Sequence, residues 1–338
     1  MPNIISPFST TGIGSTPHVN PIEACRLIEA AFDIPFWPQL PKHSFRESMV
    51  PQFSEGMPFL RVEAEHEKVF IERDDSDQLD RFYESQTGDT RVAISEDYAA
   101  GLHAFLKSIR HRKFKVLKGH ITGPLTFTLG LKDNNGMSVY FDEELREIGS
   151  LLLQAKARWQ ADILRQFADE VIIFIDEPIF SAIGSSAYLG VTEAEILRML
   201  SDSVSAIEGA GAISGIHCCG KADWSLVIRS GVRILNFDAF EYFDTFALYA
   251  DELKEFLEKG GYLAWGIVPT SDVINKMTDS ELATIFKDRV SKLHALTGSD
   301  RIYSQALITP SCGAGSRSVE EATKIFQLTM RAKEAMVG

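Results

Sequence analysis

Short β-prone runs alternate along the chain with longer stretches in which apolar residues recur every three to four positions. The short runs lie at 9–15 (STTGIGS), 48–55 (SMVPQFSE), 115–121 (KVLKGHI), 171–175 (VIIFI), 213–217 (ISGIH), 233–238 (RILNFD), 262–267 (YLAWGI) and 302–309 (IYSQALIT). VIIFI is apolar at every position, which a strand covered on both faces requires. Helical patterns lie between them at 20–32, 96–112, 142–169, 192–210, 222–230, 245–259, 278–297 and 318–336. Thr192 with Glu195 and Ser318 with Glu321 have capping-box spacing. Gly260-Gly261 stands where a helix needs a left-handed stop. Residues 56–95 interrupt the alternation with charged stretches and predict a hairpin-bearing insertion after the second strand. Gly123–Thr126 and Lys132–Met137 form a further irregular stretch. Eight strands alternating with eight helices predict an α/β fold. The count favours a (βα)8 TIM barrel over an open sheet, as a single domain covering 1–338.

Composition narrows the function classes. The chain has 338 residues, 45% of them hydrophobic and 24% charged, enough to bury a sizeable core. With 34 Lys+Arg against 47 Asp+Glu the net charge is −13, which argues against nucleic acid and against an anionic membrane surface as partners. The start, Met-Pro-Asn-Ile-Ile-Ser-Pro, lacks the basic and apolar regions of a signal peptide. No uninterrupted apolar stretch reaches membrane-spanning length, and the expected location is cytoplasmic. Four cysteines are too few for a disulfide scaffold and are free for metal binding or catalysis.

In a barrel, reactive groups belong at the C-terminal ends of the strands. Asp176-Glu177-Pro178, His217-Cys218-Cys219-Gly220, Asp238 and Thr309-Pro310-Ser311-Cys312-Gly313 all fall there. His217 and Cys219 are two apart, so in extended chain they point the same way. Closure brings the eighth strand, with Cys312, round to the same mouth. One imidazole and two thiolates suit Zn²⁺, and Asp238 is the expected fourth ligand, displaceable by substrate. Against this stands the habit of buried free cysteines to fill cores. Cys218 faces away from Cys219, and Cys25 sits on an amphipathic helix, so both read as core. His18 and His120 read as structural histidines. Asp176-Glu177 reads either as a helix cap or as a site, since a carboxylate closing a buried apolar strand needs a partner.

Taken in order, Thr11-Gly-Ile-Gly-Ser15, Ile175-Asp-Glu-Pro178, His217-Cys-Cys-Gly220 and Thr309-Pro-Ser-Cys-Gly313 resemble the catalytic domain of cobalamin-independent methionine synthase, and Ile121-Thr-Gly-Pro124 also matches its superfamily. The superfamily includes uroporphyrinogen decarboxylase. The resemblance runs over nearly the whole chain and implies a TIM barrel. It implies zinc held by His217, Cys219 and Cys312, and transfer of a methyl group to homocysteine in methionine biosynthesis. Zinc would keep the acceptor thiol, whose pKa lies well above 7, as thiolate. The family's fourth ligand is Glu; here the matching residue is Asp238, with Glu241 as the fallback. Ile13, Gly14 and Ser15 resemble the segment that binds the substrate carboxylate. Asp176 resembles the partner of its ammonium group, and Glu55 is a looser match to a second such carboxylate.

Two departures bear on the methyl donor. The family's N-terminal barrel, which helps bind folate, has no counterpart in this chain. The family's general-acid His is absent from Leu263-Ala-Trp-Gly-Ile-Val-Pro269. Folate as donor needs its leaving group protonated and a methyl-corrinoid does not, so the expected donor is a methyl-corrinoid, carried on a separate protein. The alternatives are transfer from a methylcobamide to another small thiol of the coenzyme M type, a metal-free uroporphyrinogen decarboxylase-like lyase, and a non-enzymatic zinc protein.

Overall fold

The computed structural model describes residues 5–74, 76–86, 88–183, 188 and 190–337. Its strands are β1 Ser9–Thr10, β2 Leu60–Glu63, β3 Lys68–Ile71, β4 Phe114–Thr122, β5 Lys132–Asp133, β6 Ala168–Asp176, β7 Ile213–Cys218, β8 Ile234–Phe237, β9 Tyr262–Val268 and β10 Ala306–Pro310. Seven of them make one sheet, in the order β1-β10-β9-β8-β7-β6-β4, with every neighbouring pair parallel. Helices follow or precede these strands in alternation, the arrangement that parallel pairing demands.

The sheet curls because one segment bonds to both of its outer strands. On the β1 side, Ile34 N–H donates to Thr10 O (3.0 Å), Gln39 N–H to Gly14 O (3.0 Å), and Thr16 N–H to Gln39 O (2.9 Å). On the β4 side, Lys118 N–H donates to Pro35 O (3.0 Å) and Phe36 bridges to Lys118. Pro35 and Pro38 remove two donors from this segment, so no continuous ladder forms.

Three expected strands are corrected. The run 48–55 is a helix, Met49–Ser54, with Gln52 N–H donating to Ser48 O at 2.9 Å. Pro51 lies in its first turn, where a missing N–H costs nothing. The place assigned to that strand is taken by 34–39. The run 302–309 begins as a helical turn, Arg301–Ser304, before β10. In 9–15 only Ser9 and Thr10 are in the ladder. Within 56–95, β2 and β3 form an antiparallel hairpin that β5 extends, followed by a helix over Gln78–Ser85.

Strand parity sets the layers. In β6, Val171, Ile173 and Ile175 join the core shared with the helices, while Ile172 and Phe174 face inward with Ile34, Val116, Ile234, Ala264 and Leu307. Each buried Ile, Val, Leu or Phe among them contributes about 1.5–3 kcal/mol. This inner plug is the floor beneath the polar strand ends. Cys25 and Cys218 are buried in the outer core. Among the described residues no helix is long and apolar enough to cross a membrane.

Candidate metal centre and acceptor site

Asp176, His217 and Asn236 lie side by side in register across β6, β7 and β8. One imidazole nitrogen of His217 and the sulfurs of Cys219 and Cys312 lie within 4.8 Å of one another. The second-layer geometry fixes which nitrogen faces the thiols. Asn236 is fully buried, and its Nδ2 donates to Ala264 O (2.9 Å) and Thr309 Oγ1 (2.8 Å). Its Oδ1 must therefore accept from His217 Nδ1, at 2.5 Å. That bond places the proton on Nδ1 and leaves Nε2 with a bare lone pair, as in metal-binding histidines. His217 Nε2 is buried and has no hydrogen-bond partner.

A hydrogen bond from Cys312 holds Cys219 down to about 4, against the opposing effect of burial and with help from His217. The same bond, with burial, pushes Cys312 well up. Burial disfavours charge on His217, but the proximity of Cys219, with Asp176 and the Asn236 hydrogen bond, raises it overall. The pairing favours negative charge on Cys219 over Cys312. A nitrogen lone pair and two sulfurs fit a borderline-soft divalent cation such as zinc.

Asp238, at the end of β8, accepts from Phe240 N–H and Glu241 N–H through Oδ1, both at 2.8 Å. Burial lifts it to about 6, with those amides opposing. It stands outside the tight group of three. The two neighbouring acids of β6 divide their roles. Glu177 is fully buried and accepts from Leu125 N–H (2.9 Å), Thr126 N–H (2.8 Å) and Thr126 Oγ1 (2.6 Å). It caps the helix Pro124–Gly130, and a Cβ on Gly123 would lie 2.1 Å from its carboxyl carbon. Asp176 is also buried, yet its Oδ1 has no partner. Burial raises it to about 6, with His217 and Lys118 opposing.

No protein-family description and no curated protein sequence matches this chain. A solved structure does. It is a B12-independent methionine synthase from Shewanella sp. W3-18-1 in complex with selenomethionine, with a TM-score of 0.58 and 14% identity over 97% of each chain. At that identity the likeness is one of fold.

The remaining expected residues are placed as follows. Ile13 O accepts from Lys118 Nζ. Gly14 packs against the His120 ring. Ser15 ties the first loop to the one carrying Cys312: its O accepts from Ala314 N–H (2.9 Å) and its Oγ from Gly315 N–H (3.3 Å). Glu55 accepts from Ser95 N–H at 2.9 Å and lies in the field of Lys156, a buried lysine that burial lowers to about 8. Buried His18 is lowered by burial.

Two neighbours of the site escaped the sequence reading. Asn236 shares the strand parity of Asp238, which was the available signal. Lys118 is a lysine inside an apolar strand at the parity of His120. It is fully buried and sits 4.4 Å from the Phe174 ring centre. Burial lowers it to about 8, against the pull of Asp176.

Proposed function

We propose that this chain is a zinc-dependent methyltransferase that moves a methyl group to a small thiol, homocysteine, to give methionine. We read it as one TIM-barrel catalytic domain, with 34–39 completing the ring of eight and 56–95 as an insertion. The observation that carries the proposal is the convergence of one His217 ring nitrogen with the sulfurs of Cys219 and Cys312 within 4.8 Å at the strand ends, with the imidazole oriented by Asn236.

His217, Cys219 and Cys312 would hold the zinc, with Asp238 or Glu241 as a fourth, displaceable ligand. Bound zinc supplies the Lewis acidity that keeps an acceptor thiol deprotonated near neutral pH. Asn236 keeps the imidazole lone pair directed at the thiols. The partnerless Oδ1 of Asp176 takes the substrate's ammonium group, with Glu55 as a second carboxylate. The Ile13–Ser15 segment offers backbone groups to the carboxylate. The Leu263–Pro269 stretch supplies no proton donor of the histidine type, which supports a methyl-corrinoid as donor. The corrinoid-bearing partner would present the methyl group at the barrel mouth.

Two measurements test this. Metal analysis should find zinc in the wild type and its loss, with the fold retained, in Cys312→Ala. Methylation of homocysteine should proceed from methylcobalamin. Full zinc in Cys312→Ala removes Cys312 from the site, and transfer from methyltetrahydrofolate alone overturns the donor.

A further inference from the structure

We infer that Ser15 and Ser311 are positioning residues: from opposite sides they hold the turn that aims the Cys312 sulfur at the metal. The inference rests on the zinc reading given above. Of the three expected protein ligands, His217 lies within β7 and Cys219 one residue beyond it. Cys312 stands two residues past the end of β10 at Pro310. A ligand on a loop is placed only as well as its supports allow, so the flanks of Cys312 must fix it. On the upstream side, Thr309 pairs with Gly266 but Pro310 with Val268, and Ile267 is passed over. A bulge of this kind bends the strand that carries it. Beyond it, Ser311 N–H donates to Val268 O at 2.8 Å, and Ser311 Oγ accepts from Thr270 N–H at 3.3 Å.

On the downstream side, Ser15 O accepts from Ala314 N–H at 2.9 Å and Ser15 Oγ from Gly315 N–H at 3.3 Å. Gly313 lies so close that an added Cβ would stand 2.1 Å from Ser15 Oγ. Ser15 is itself anchored: it bridges to Gln39, while Thr16 N–H donates to Gln39 O and Gln39 N–H to Gly14 O. The Cys312 turn is thus tied to the segment that bonds both outer strands of the sheet. Between the two clamps lie only Cys312 and Gly313, and Gly313 N–H donates to the Cys312 sulfur. A shift of the turn changes both the direction of that sulfur and the hydrogen bond it receives, which is how outer residues tune a metal site. The competing role for Ser15, a hydroxyl for the substrate carboxylate, would leave zinc affinity unmoved.

Zinc affinity is read by competition with a chromogenic chelator, and cobalt loading reports the bound thiolates through their sulfur-to-metal absorption. Ser15→Ala should bind zinc about tenfold more weakly, with its cobalt absorption falling towards that of Cys312→Ala. Gly313→Ala drives a methyl group into Ser15 Oγ, which yields only by turning away from Gly315 N–H, and should also weaken zinc about tenfold. The double variant Ser15→Ala/Gly313→Ala removes that clash and should bind zinc more tightly than Gly313→Ala alone, a recovery that independent effects do not give. Ser311→Ala, which cuts the upstream clamp, carries the same expected loss and replaces Ser15→Ala should that fail to fold. A loss of less than about threefold in Ser15→Ala, or a double variant no tighter than Gly313→Ala, overturns the inference. Unmoved zinc with weakened methionine binding would return Ser15 to the substrate. Zinc in the wild type that is indifferent to Ser15 sinks the inference alone, whereas a wild type that binds no zinc sinks the proposed activity as well.

Discussion

Replacing Asn236 by Leu separates a built metal site from a chance grouping of thiols. Asn236 is fully buried and makes three hydrogen bonds, to His217 Nδ1, Ala264 O and Thr309 Oγ1. Leu fills nearly the same volume, so the perturbation is polar rather than a cavity. In the variant His217 Nδ1–H is buried without an acceptor, at about 1–3 kcal/mol. The imidazole escapes that cost by moving its proton to Nε2, which removes the lone pair aimed at Cys219 and Cys312. Either outcome should weaken zinc about 10–100-fold, or ~1.4–2.8 kcal/mol. Asn236→Asp keeps an oxygen facing Nδ1 but loses the donor to Ala264 O and Thr309. It should hold zinc about as tightly as the wild type while melting at a lower temperature. Competition for zinc against a chromogenic chelator at fixed pH, with thermal melts alongside, reads both. A Leu variant within about twofold of wild-type zinc affinity would refute the assignment of Asn236 as the orienting group.

Three further outcomes are expected. Glu177 has a folded-state pKa of about 7 against an ordinary 4.5, raised by burial. Its contribution to stability is therefore complete below about 4.5 and is lost as pH rises towards 7. Relative to Glu177→Gln, the wild type should lose stability across that window in urea titrations, and parallel pH profiles refute the linkage. Gly101→Ala places a Cβ 1.9 Å from Pro38 O, pressing the helix Ala100–Ile109 against the segment 34–39. It should cost about 1–3 kcal/mol, and an unchanged denaturation midpoint would count against that contact. Gly14→Ala pushes a methyl group into the His120 ring. It should weaken methionine binding with zinc content unchanged, and unaltered binding would place Gly14 outside the acceptor site.

What the sequence made legible follows strand parity. VIIFI announced a strand covered on both faces, and β6 divides its residues between the inner plug and the helix layer accordingly. The spacing of His217 and Cys219 foretold a shared direction, and both reach Cys312. The segment Ile34–Gln39 was illegible because two prolines and two aromatics in six residues neither alternate nor form a ladder. It bonds at isolated points only. Met49–Ser54 deceived in the opposite sense, since Pro51 suggests a break yet is harmless in a first turn. Ser15 was read as a substrate group, and its hydroxyl is engaged by Gly315 N–H. An extended reading of one loop does not reveal what a second loop, 300 residues away, will donate to it.

Partnerless buried polar atoms do not by themselves mark a site. Trp265 Nε1, Ser150 Oγ and Lys156 Nζ share that condition with His120, Asp176 and His217. Parity separates the two sets. Trp265 alternates with the inward Ala264 and so faces the outer layer, while Ser150 and Lys156 belong to the helix Glu143–Arg165. His120, Asp176 and His217 all lie on inward positions near the C-terminal ends of adjacent strands, in the order β4, β6, β7. These three share one wall, beside Cys219 and Cys312 and above an apolar floor, whereas Thr16 Oγ1, Glu47 Oε1 and Arg165 Nη2 are partnerless elsewhere. Asp176 and Glu177 sharpen the point. They are adjacent and both buried, yet Glu177 is saturated by three donors while Asp176 Oδ1 has none. Burial alone does not produce that asymmetry: parity turns Glu177 to the N-terminus of the helix Pro124–Gly130, which supplies its donors, and turns Asp176 to the inward wall beside His217.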